Sequence, residues 1–375
     1  MSQDPRKTSD VQEEPDMDHF RAGIDEVDSE IVRLLDRRAR LARGIGEIKK
    51  SKGLDTYVPS RERKVLDRVR EISKGDFPKG GLESVFREII SSSISLEERM
   101  KVAYLGPETT FTHEAAMRAF GNSLELVPQA TVADVFALVE RGEASQGVVP
   151  VENSMEGAVT HTLDELTTSP LKICGEVYLP VSQNLLSGER TIEDVRMVCS
   201  HPMALAQTAV WLRRELPAVE IQEVTSTAEA ARRAAVEPGV AAVGSVLAAD
   251  AHGLSILARN IQEARTNTTR FIVIGRKWAG RTGRDKTSIV LDPSLRDRPG
   301  MLRDTLAILA DEGINMIRIE SRPNRGRAWT YIFFIDVQGH PEDDNVRRAL
   351  ETLEEKCHHL AVIGAYPETS PVPLD

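Results

Sequence analysis

The hydrophobic period changes twice along the chain, and these changes divide the sequence into three blocks. From about Phe20 to Met100, apolar residues recur at steps of three and four, the period of amphipathic helices. From Lys101 to about Ile274, short apolar runs alternate with helical patterns, which predicts parallel sheets covered by helices. The last block has the order strand, helix, strand, strand, helix, strand, which is typical of a ferredoxin-like unit. We therefore expect a multi-domain protein with an all-α block, an α/β block and an α+β block.

Composition and charge argue against several classes of function. The chain has 375 residues and a formal net charge of −10, so nucleic acid is not expected as its main partner. No apolar run is long enough for a membrane span. Residues 1–18 are polar and contain Pro5 and Pro15, which predicts a disordered tail rather than a signal peptide. Three distant cysteines, Cys174, Cys199 and Cys357, show no metal or redox spacing. We expect reduced thiols, a cytoplasmic location, and no metal or other cofactor.

The first predicted helix carries cations along its apolar seam. The seam consists of Ile24, Val27, Ile31, Leu34, Leu41, Ile45 and Ile48. Arg21 and Arg38 fall in register with these residues, and Lys49 borders the end of the seam. No proline interrupts Phe20 to Lys52, so the helix can reach roughly 50 Å. Such a helix is too long for a compact three-helix monomer and indicates an intertwined dimer.

The next two predicted helices also place polar groups on their apolar faces. Glu62 lies in register with the stripe of the second helix, with Arg61 beside it, and Ser93 and Glu97 continue the stripe of the third. Buried charges are costly unless they are paired. The long cationic side chains could extend to solvent at the ends of the stripes, or pair with the two glutamates. The cations of the three helices outnumber these acids, however, which favours a dianionic ligand.

This helical constellation resembles the all-helical chorismate mutases over about residues 20–97. The matching positions are Arg21, Arg38, Lys49, Arg61, Glu62, Ser93 and Glu97. The resemblance implies that arginines hold the two carboxylates of chorismate, with Arg21 supplied by a partner subunit. It also implies that Lys49 and Glu97 contact the ether oxygen of the breaking bond. A pericyclic rearrangement needs only a compact substrate conformer and stabilisation of developing charge, which suits such a site.

In the middle block, two polar clusters adjoin buried strands. The apolar run Gly147–Val151 leads into Glu152, Asn153 and Ser154. A second cluster, Asn267–Phe271, leads into another apolar run. Ligands of open α/β sheets bind beyond the carboxyl ends of strands, so we expect the two clusters to form one cleft. The alternative for the first cluster is a polar turn followed by a helix cap.

Residues 101–275 resemble prephenate dehydratase. The matching segments are Tyr104–Glu108, Thr110–Thr112, Pro150–Gly157, Ser200–Pro202 and Asn267–Phe271. The resemblance implies a two-lobed fold, like type II periplasmic binding proteins, with the substrate between the lobes. It implies that Thr269 supplies the key hydroxyl, and that Arg270 positions a carboxylate or braces the cleft. The cleft would be lined by Glu152, Asn153, Ser154, Thr268 and Phe271. For His201 a role in capping a helix is preferred over one as an acid.

The last block resembles an ACT regulatory domain. Glu320, Ser321, Arg322 and Pro323 match a phenylalanine-binding motif of these dehydratases. A second motif, Gly-Ala-Leu-Val in the family, is altered here to Pro299, Gly300, Met301 and Leu302. The resemblance implies that phenylalanine is an effector.

Together the three blocks are similar to the bifunctional chorismate mutase–prephenate dehydratases, an isomerase and a lyase in one chain. We expect a mutase domain at residues 19–100, a dehydratase domain at 101–278 and an ACT domain at 285–367. The chain would convert chorismate to prephenate and prephenate to phenylpyruvate under phenylalanine feedback, as a homodimer or homotetramer. The alternatives are a dehydratase that prefers arogenate and a non-catalytic regulator that binds an amino acid.

Overall fold

The computed structural model describes residues 17–53, 57–75, 77–264, 266–293, 299–324 and 330–369, with every side chain in these ranges except that of Lys79. Of the predicted tail of residues 1–18, only Met17 and Asp18 lie in the described residues, and they begin the first helix. Trp329, predicted to start a strand, lies outside them. The chain forms two compact units that divide between Thr56 and Tyr57.

The secondary structure follows the three blocks. The helices, numbered in chain order, are α1 Met17–Lys52, α2 Pro59–Ile72, α3 Lys79–Glu97, α4 Phe111–Phe120, α5 Val132–Arg141, α6 Thr160–Thr168, α7 Pro202–Glu215, α8 Thr227–Ala234, α9 Val246–His252, α10 Met301–Asp311 and α11 Asp344–Lys356. The strands are β1 Lys101–Leu105, β2 Glu125–Gln129, β3 Gln146–Asn153, β4 Gly157–Ala158, β5 Lys172–Pro180, β6 Asn184–Ser187, β7 Met197–Ser200, β8 Glu220–Glu223, β9 Val240–Gly244, β10 Ser255–Ala258, β11 Thr268–Gly275, β12 Asp285–Asp292, β13 Met316–Pro323, β14 Tyr331–Gln338 and β15 His359–Pro367.

The first unit contains α1, one uninterrupted helix of 36 residues, as the absence of proline predicts. The seven apolar residues of its predicted seam are between 48% and 63% exposed in this chain. An apolar stripe of this length on a single chain is unusual for a surface that remains in water.

In the second unit, α2 and α3 pack on the α/β block. Leu66, Ile90 and Ile94 share a hydrophobic core with Val102 and Phe120. Two of the three helices that the sequence assigns to the mutase therefore lie directly on the first lobe of the dehydratase block.

The α/β block has two lobes, each with its own sheet. In the first lobe, β11 lies between β5 and β3 and runs antiparallel to both. In the second lobe, the strand order is β10-β6-β9-β7-β8, and β6 runs antiparallel to β9 and β10. The prediction of parallel sheets was therefore wrong for these strands. The physical reason is the chain path, because the chain leaves the first lobe after β5, builds the second lobe, and returns through β11 in the opposite direction.

The C-terminal block has the predicted order β12-α10-β13-β14-α11-β15. Its sheet joins that of the first lobe, because β15 pairs with β5 at Gly364 and Ile173, which gives one ten-stranded sheet. A Cβ atom at position 364 would lie 2.5 Å from the Ile173 Cβ and 2.6 Å from the Ile173 oxygen. This close approach requires glycine.

None of the helices that the structure describes combines the length and the hydropathy that a membrane span requires.

Candidate active sites

The strands β3 and β11 bring the two polar clusters together, as the sequence predicts. Asn153 pairs in register with Thr269. The Asn153 Nδ2 atom donates to Thr269 Oγ1 at 2.8 Å and to Asn267 Oδ1 at 2.9 Å. Thr269 is 9% exposed and Asn267 is 1% exposed. Because the Thr269 oxygen already accepts a hydrogen bond from Asn153, its own hydroxyl proton remains available for a hydrogen bond to another group.

Backbone hydrogen bonds hold this arrangement in place. Asn153 Oδ1 accepts from the backbone nitrogens of Met155 at 2.9 Å and Glu156 at 3.3 Å, which orients the amide. The Ser154 nitrogen donates to the Thr268 oxygen at 2.9 Å, and Ser154 Oγ accepts from the Thr268 nitrogen at 3.0 Å. Ser154 and Thr268 thus fasten the two segments to each other.

Phe271 and His201, two further residues of the segments that match the dehydratase, have structural roles. Phe271 is 2% exposed and belongs to the same core cluster as Tyr104, so it supports β11 from within the lobe. His201 caps α7, with its Nδ1 atom accepting from the Met203 nitrogen at 3.3 Å. This is the capping role that the sequence favoured.

Gln207, on α7 of the second lobe, was not predicted from the sequence. Its Oε1 atom accepts from Asn267 Nδ2 at 3.1 Å and from Gln183 Nε2 at 3.3 Å. Its Nε2 atom donates to Glu156 Oε1 at 3.0 Å. Gln207 therefore connects the second lobe to the loop after β3 in the first lobe. A single glutamine in a helix gives no sequence signal beyond its place one and a half turns after the Ser200–Pro202 motif.

Arg270 lies beside Thr269 in β11 but points to the opposite face of the strand. Its Nε donates to Glu176 Oε2 at 2.9 Å, its Nη1 to Asp336 Oδ2 at 2.6 Å and its Nη2 to the Tyr366 hydroxyl at 2.8 Å. These partners belong to β5, β14 and β15. Every nitrogen of the guanidinium is committed to this buried contact, so of the two roles left open by the sequence the geometry favours bracing.

Arg270, Glu176, Lys286, Asp336, Ser288 and Tyr366 form what we call the junction cluster, between the first lobe and the C-terminal block. Lys286 Nζ lies 2.8 Å from Glu176 Oε1, and the Ser288 hydroxyl donates to Asp336 Oδ1 at 2.5 Å. The cluster contains two cations and two carboxylates, as buried charges require. Burial would raise the pKa of Asp336, but the Arg270 guanidinium and the Ser288 hydroxyl outweigh burial and hold this pKa below its usual range. Burial raises the pKa of the Tyr366 phenol.

The predicted mutase residues are distributed over both compact units. Arg21, Arg38 and Lys49 lie on α1. Arg21 forms an exposed ion pair with Asp18, with 3.2 Å between Nη1 and Oδ1. The structure describes each unit by itself, so the assembly of the whole set remains a prediction.

The remaining mutase residues lie on α2 and α3 in the second unit. Arg61 is exposed, Glu97 is half-buried, and Ser93 Oγ donates to the Ile89 oxygen at 2.7 Å. Burial raises the pKa of Glu62, opposed by the charge of Arg87, whose Nε lies 4.0 Å from Glu62 Oε1. Arg87, on α3, is a further cation that the sequence did not single out.

The two predicted effector motifs occupy loops and strand ends of the C-terminal block. Pro299 and Gly300 precede α10. Gly300 has a φ of 82°, a backbone conformation that favours glycine, and a glycine is present here although the motif around it is altered. Met301 and Leu302 form the first turn of α10. Glu320, Ser321, Arg322 and Pro323 end β13.

A cavity of about 350 Å³ adjoins the motif Glu320–Pro323. It lies between α6 and the sheet of the C-terminal block, and its walls include Arg322, Pro323, Leu163 and Phe334. Arg322 Nη2 lies 3.1 Å from Asp164 Oδ1 at its edge. The cavity therefore combines an apolar wall with a cation and a carboxylate.

Comparisons with known proteins agree with this division of the chain. Family models match for chorismate mutase type II at residues 20–98, prephenate dehydratase at 102–279 and the ACT domain at 289–355. A bifunctional chorismate mutase/prephenate dehydratase of Aquifex aeolicus (strain VF5) is 46% identical over 357 residues, which cover 94% of this chain and 98% of that protein. One of Stutzerimonas stutzeri is 42% identical over 355 residues, covering 93% and 97%.

Among solved structures, the prephenate dehydratase of Arthrobacter aurescens in complex with L-Phe has a TM-score of 0.66 and 34% identity, and covers 74% of this chain and 93% of that one. The near full-length identity to relatives with both activities, and the three matched domains in order, decide the assignment. The chain belongs to the family of bifunctional chorismate mutase/prephenate dehydratases.

Proposed function

We propose that this chain rearranges chorismate to prephenate in its helical block and converts prephenate to phenylpyruvate in the cleft between its two lobes. The observation that best supports the second step is the buried Thr269 hydroxyl, oriented by Asn153 so that its proton is available. In that step the bond to the ring carboxylate breaks and releases carbon dioxide. Its electron pair makes the ring aromatic and expels the ring hydroxyl, which takes up a proton and leaves as water.

In this proposal Thr269 donates a hydrogen bond to the departing oxygen, where negative charge develops. Asn153 keeps the threonine hydroxyl in that orientation, and Gln207 connects the arrangement to the second lobe. Ser154 and Thr268 form the adjoining wall, whereas Glu152, in register with Arg270, faces the C-terminal block.

The mutase step is assigned to the cationic set of the helical block. Arg21, Arg38 and Arg61 would hold the two carboxylates of chorismate, and Lys49 and Glu97 the ether oxygen. Glu62 and Ser93 complete the set. The exposed apolar seam of α1 supports the assembly of this site from two copies of the chain, with Arg21 from the partner, in a homodimer or homotetramer.

We assign phenylalanine as the effector of the C-terminal block, with a site that uses Glu320–Pro323 and the segment Pro299–Leu302. The cavity beside Arg322 supports this, because it offers apolar walls together with groups of both charges. The complex of the Arthrobacter aurescens relative with L-Phe supports the same assignment. We also propose prephenate rather than arogenate as the substrate, and a cytoplasmic location.

One experiment tests the proposal. Purified protein is given chorismate, and the loss of chorismate and the appearance of phenylpyruvate are followed with and without phenylalanine. Arogenate is supplied in a parallel reaction. Chorismate loss with prephenate accumulation would refute the dehydratase half, and faster turnover of arogenate than of prephenate would refute the substrate assignment.

A further inference from the structure

An arginine of the C-terminal block contacts the strand segment that leads into the dehydratase polar cluster. Arg318, on the edge strand β13, places its Nε atom 2.8 Å from Glu152 Oε2. The Arg318 side chain is only 12% exposed, so solvent screens this ion pair weakly. Glu152 directly precedes Asn153, the residue that orients the Thr269 hydroxyl. The side chain that holds this segment therefore comes from a different domain.

Arg270 is the other cation near Glu152, but it is a weaker partner. Its Nη1 atom lies 3.9 Å from the same carboxylate oxygen, while it donates to Asp336 at 2.6 Å. Its remaining nitrogens bond Glu176 and Tyr366. Arg270 is thus held by the junction cluster, and Arg318 makes the short contact to Glu152.

A second nitrogen of the Arg318 guanidinium faces the effector motif. The Nη2 atom lies 3.5 Å from Glu320 Oε2, is buried, and makes no hydrogen bond among the described residues. Buried donors without a partner are rare and call for a reason. Arg318 therefore lies between Glu152, in the segment before Asn153, and Glu320, in the motif, and of these two it makes a short contact only to Glu152.

We propose that Arg318 is a positioning residue for the dehydratase site, and that it relays the state of Glu320 to Glu152 and so to Asn153 and Thr269. The arrangement with the short Arg318–Glu152 contact is the active one. A ligand that moves Glu320 changes how Arg318 divides its donors between the two carboxylates, which gives the effector different affinities for two arrangements of the cleft. The relay rests on the proposed regulation by phenylalanine, whereas the positioning role does not.

The test compares three variants of the full-length chain. Arg318→Ala removes the relay, and Arg318→Lys keeps a charge that can reach Glu152. Lys172→Ala is the matched control, because Lys172 also crosses the junction, donating from Nζ to the Val362 oxygen at 2.9 Å, but does not contact Glu152. For each variant, kcat and KM for prephenate, the ratio of rates without and with phenylalanine, and phenylalanine binding by calorimetry are measured. Chorismate consumption by the same chain reports on folding.

For Arg318→Ala we expect kcat for prephenate to fall about tenfold with KM nearly unchanged, as for the loss of one hydrogen bond to a charged group. Phenylalanine should still bind, but the rate ratio should fall towards one. Arg318→Lys should recover part of kcat, and Lys172→Ala should behave as the wild type.

Three results would overturn the inference. The first is an unchanged kcat and rate ratio in Arg318→Ala, and the second is an equal loss in Lys172→Ala, which would indicate a generally loosened junction. The third is the loss of phenylalanine binding in Arg318→Ala, which would place this arginine in the effector site itself. A wild-type enzyme that phenylalanine does not inhibit would refute the proposed regulation and the relay, and kcat of Arg318→Ala would then decide the positioning role alone.

Discussion

Replacing Thr269 with alanine separates the two proposed activities within one chain. The substitution removes the hydroxyl that we assign to the departing oxygen, and mutagenesis of comparable donors lowers kcat by about 10²–10³, or roughly 3–4 kcal/mol. The effect on folding should be much smaller. Asn153 Nδ2 loses its 2.8 Å contact to Thr269 but keeps the one to Asn267, so one hydrogen bond is lost, worth about 1 kcal/mol.

The assay measures phenylpyruvate formation from prephenate and chorismate consumption in the same preparations. Thr269→Ser keeps a hydroxyl and should recover most of the activity. Thr162→Ala is a matched control for stability, because Thr162 is fully buried in the same lobe and its hydroxyl donates to the Pro150 oxygen at 2.6 Å. It should lose a similar free energy of unfolding while retaining dehydratase activity.

The result that would refute this reasoning is a parallel loss of both activities in a folded Thr269→Ala protein. A kcat for phenylpyruvate formation within about threefold of the wild type would also refute it, because a donor to the leaving oxygen is worth far more than that.

Three further predictions concern the junction and the mutase. Asp336→Asn leaves Arg270 and Lys286 facing Glu176 alone and should destabilise the fold by about 3 kcal/mol in chemical denaturation. The folded pKa of Asp336 is lowered, so its contribution to stability is present above the unfolded pKa of about 3.9 and is lost as pH falls through the folded pKa. The variant should therefore lose this part of the acid dependence of the free energy of unfolding. Gly364→Ala places a Cβ 2.5 Å from the Ile173 Cβ and should lower the free energy of unfolding by about 1–3 kcal/mol, so an unchanged denaturation midpoint would contradict the close packing. Glu97→Gln replaces the carboxyl with an amide, which can always donate a hydrogen bond to the ether oxygen, and should keep mutase activity, whereas Glu97→Leu should lose it; equal activity of the two variants would exclude Glu97 as the donor.

The sequence predicted the elements well where hydrophobic period and local motifs determine them. The adjacency of Asn153 and Thr269 was predictable because each lies in a polar cluster next to a buried strand. The direction of β11 was not predictable, because a hydrophobic pattern does not indicate strand direction. The direction depends here on the chain returning from the second lobe.

The junction cluster was beyond sequence reasoning for a different reason. The partners of Arg270 lie 94, 66 and 96 residues away in the chain, and no local pattern connects them. Charged residues at the start of a strand, such as Asp285 and Lys286, are usually exposed. Both are buried instead, and Lys286 pairs with Glu176.

Neighbouring residues of a strand point to opposite faces, so β11 serves two sites at once. Thr269 faces the proposed cleft, and Arg270 faces the junction cluster, which β12, β14 and β15 complete. A chain that ended near Gly280 would leave Arg270 and Glu176 without Asp336, Lys286 and Tyr366, and would remove the strand that pairs with β5 at Ile173. Lost dehydratase activity in such a truncation would therefore report damage to β11 as much as loss of regulation. Single substitutions such as Arg318→Ala, which keep every residue of the junction cluster and the continuous sheet, separate the two effects.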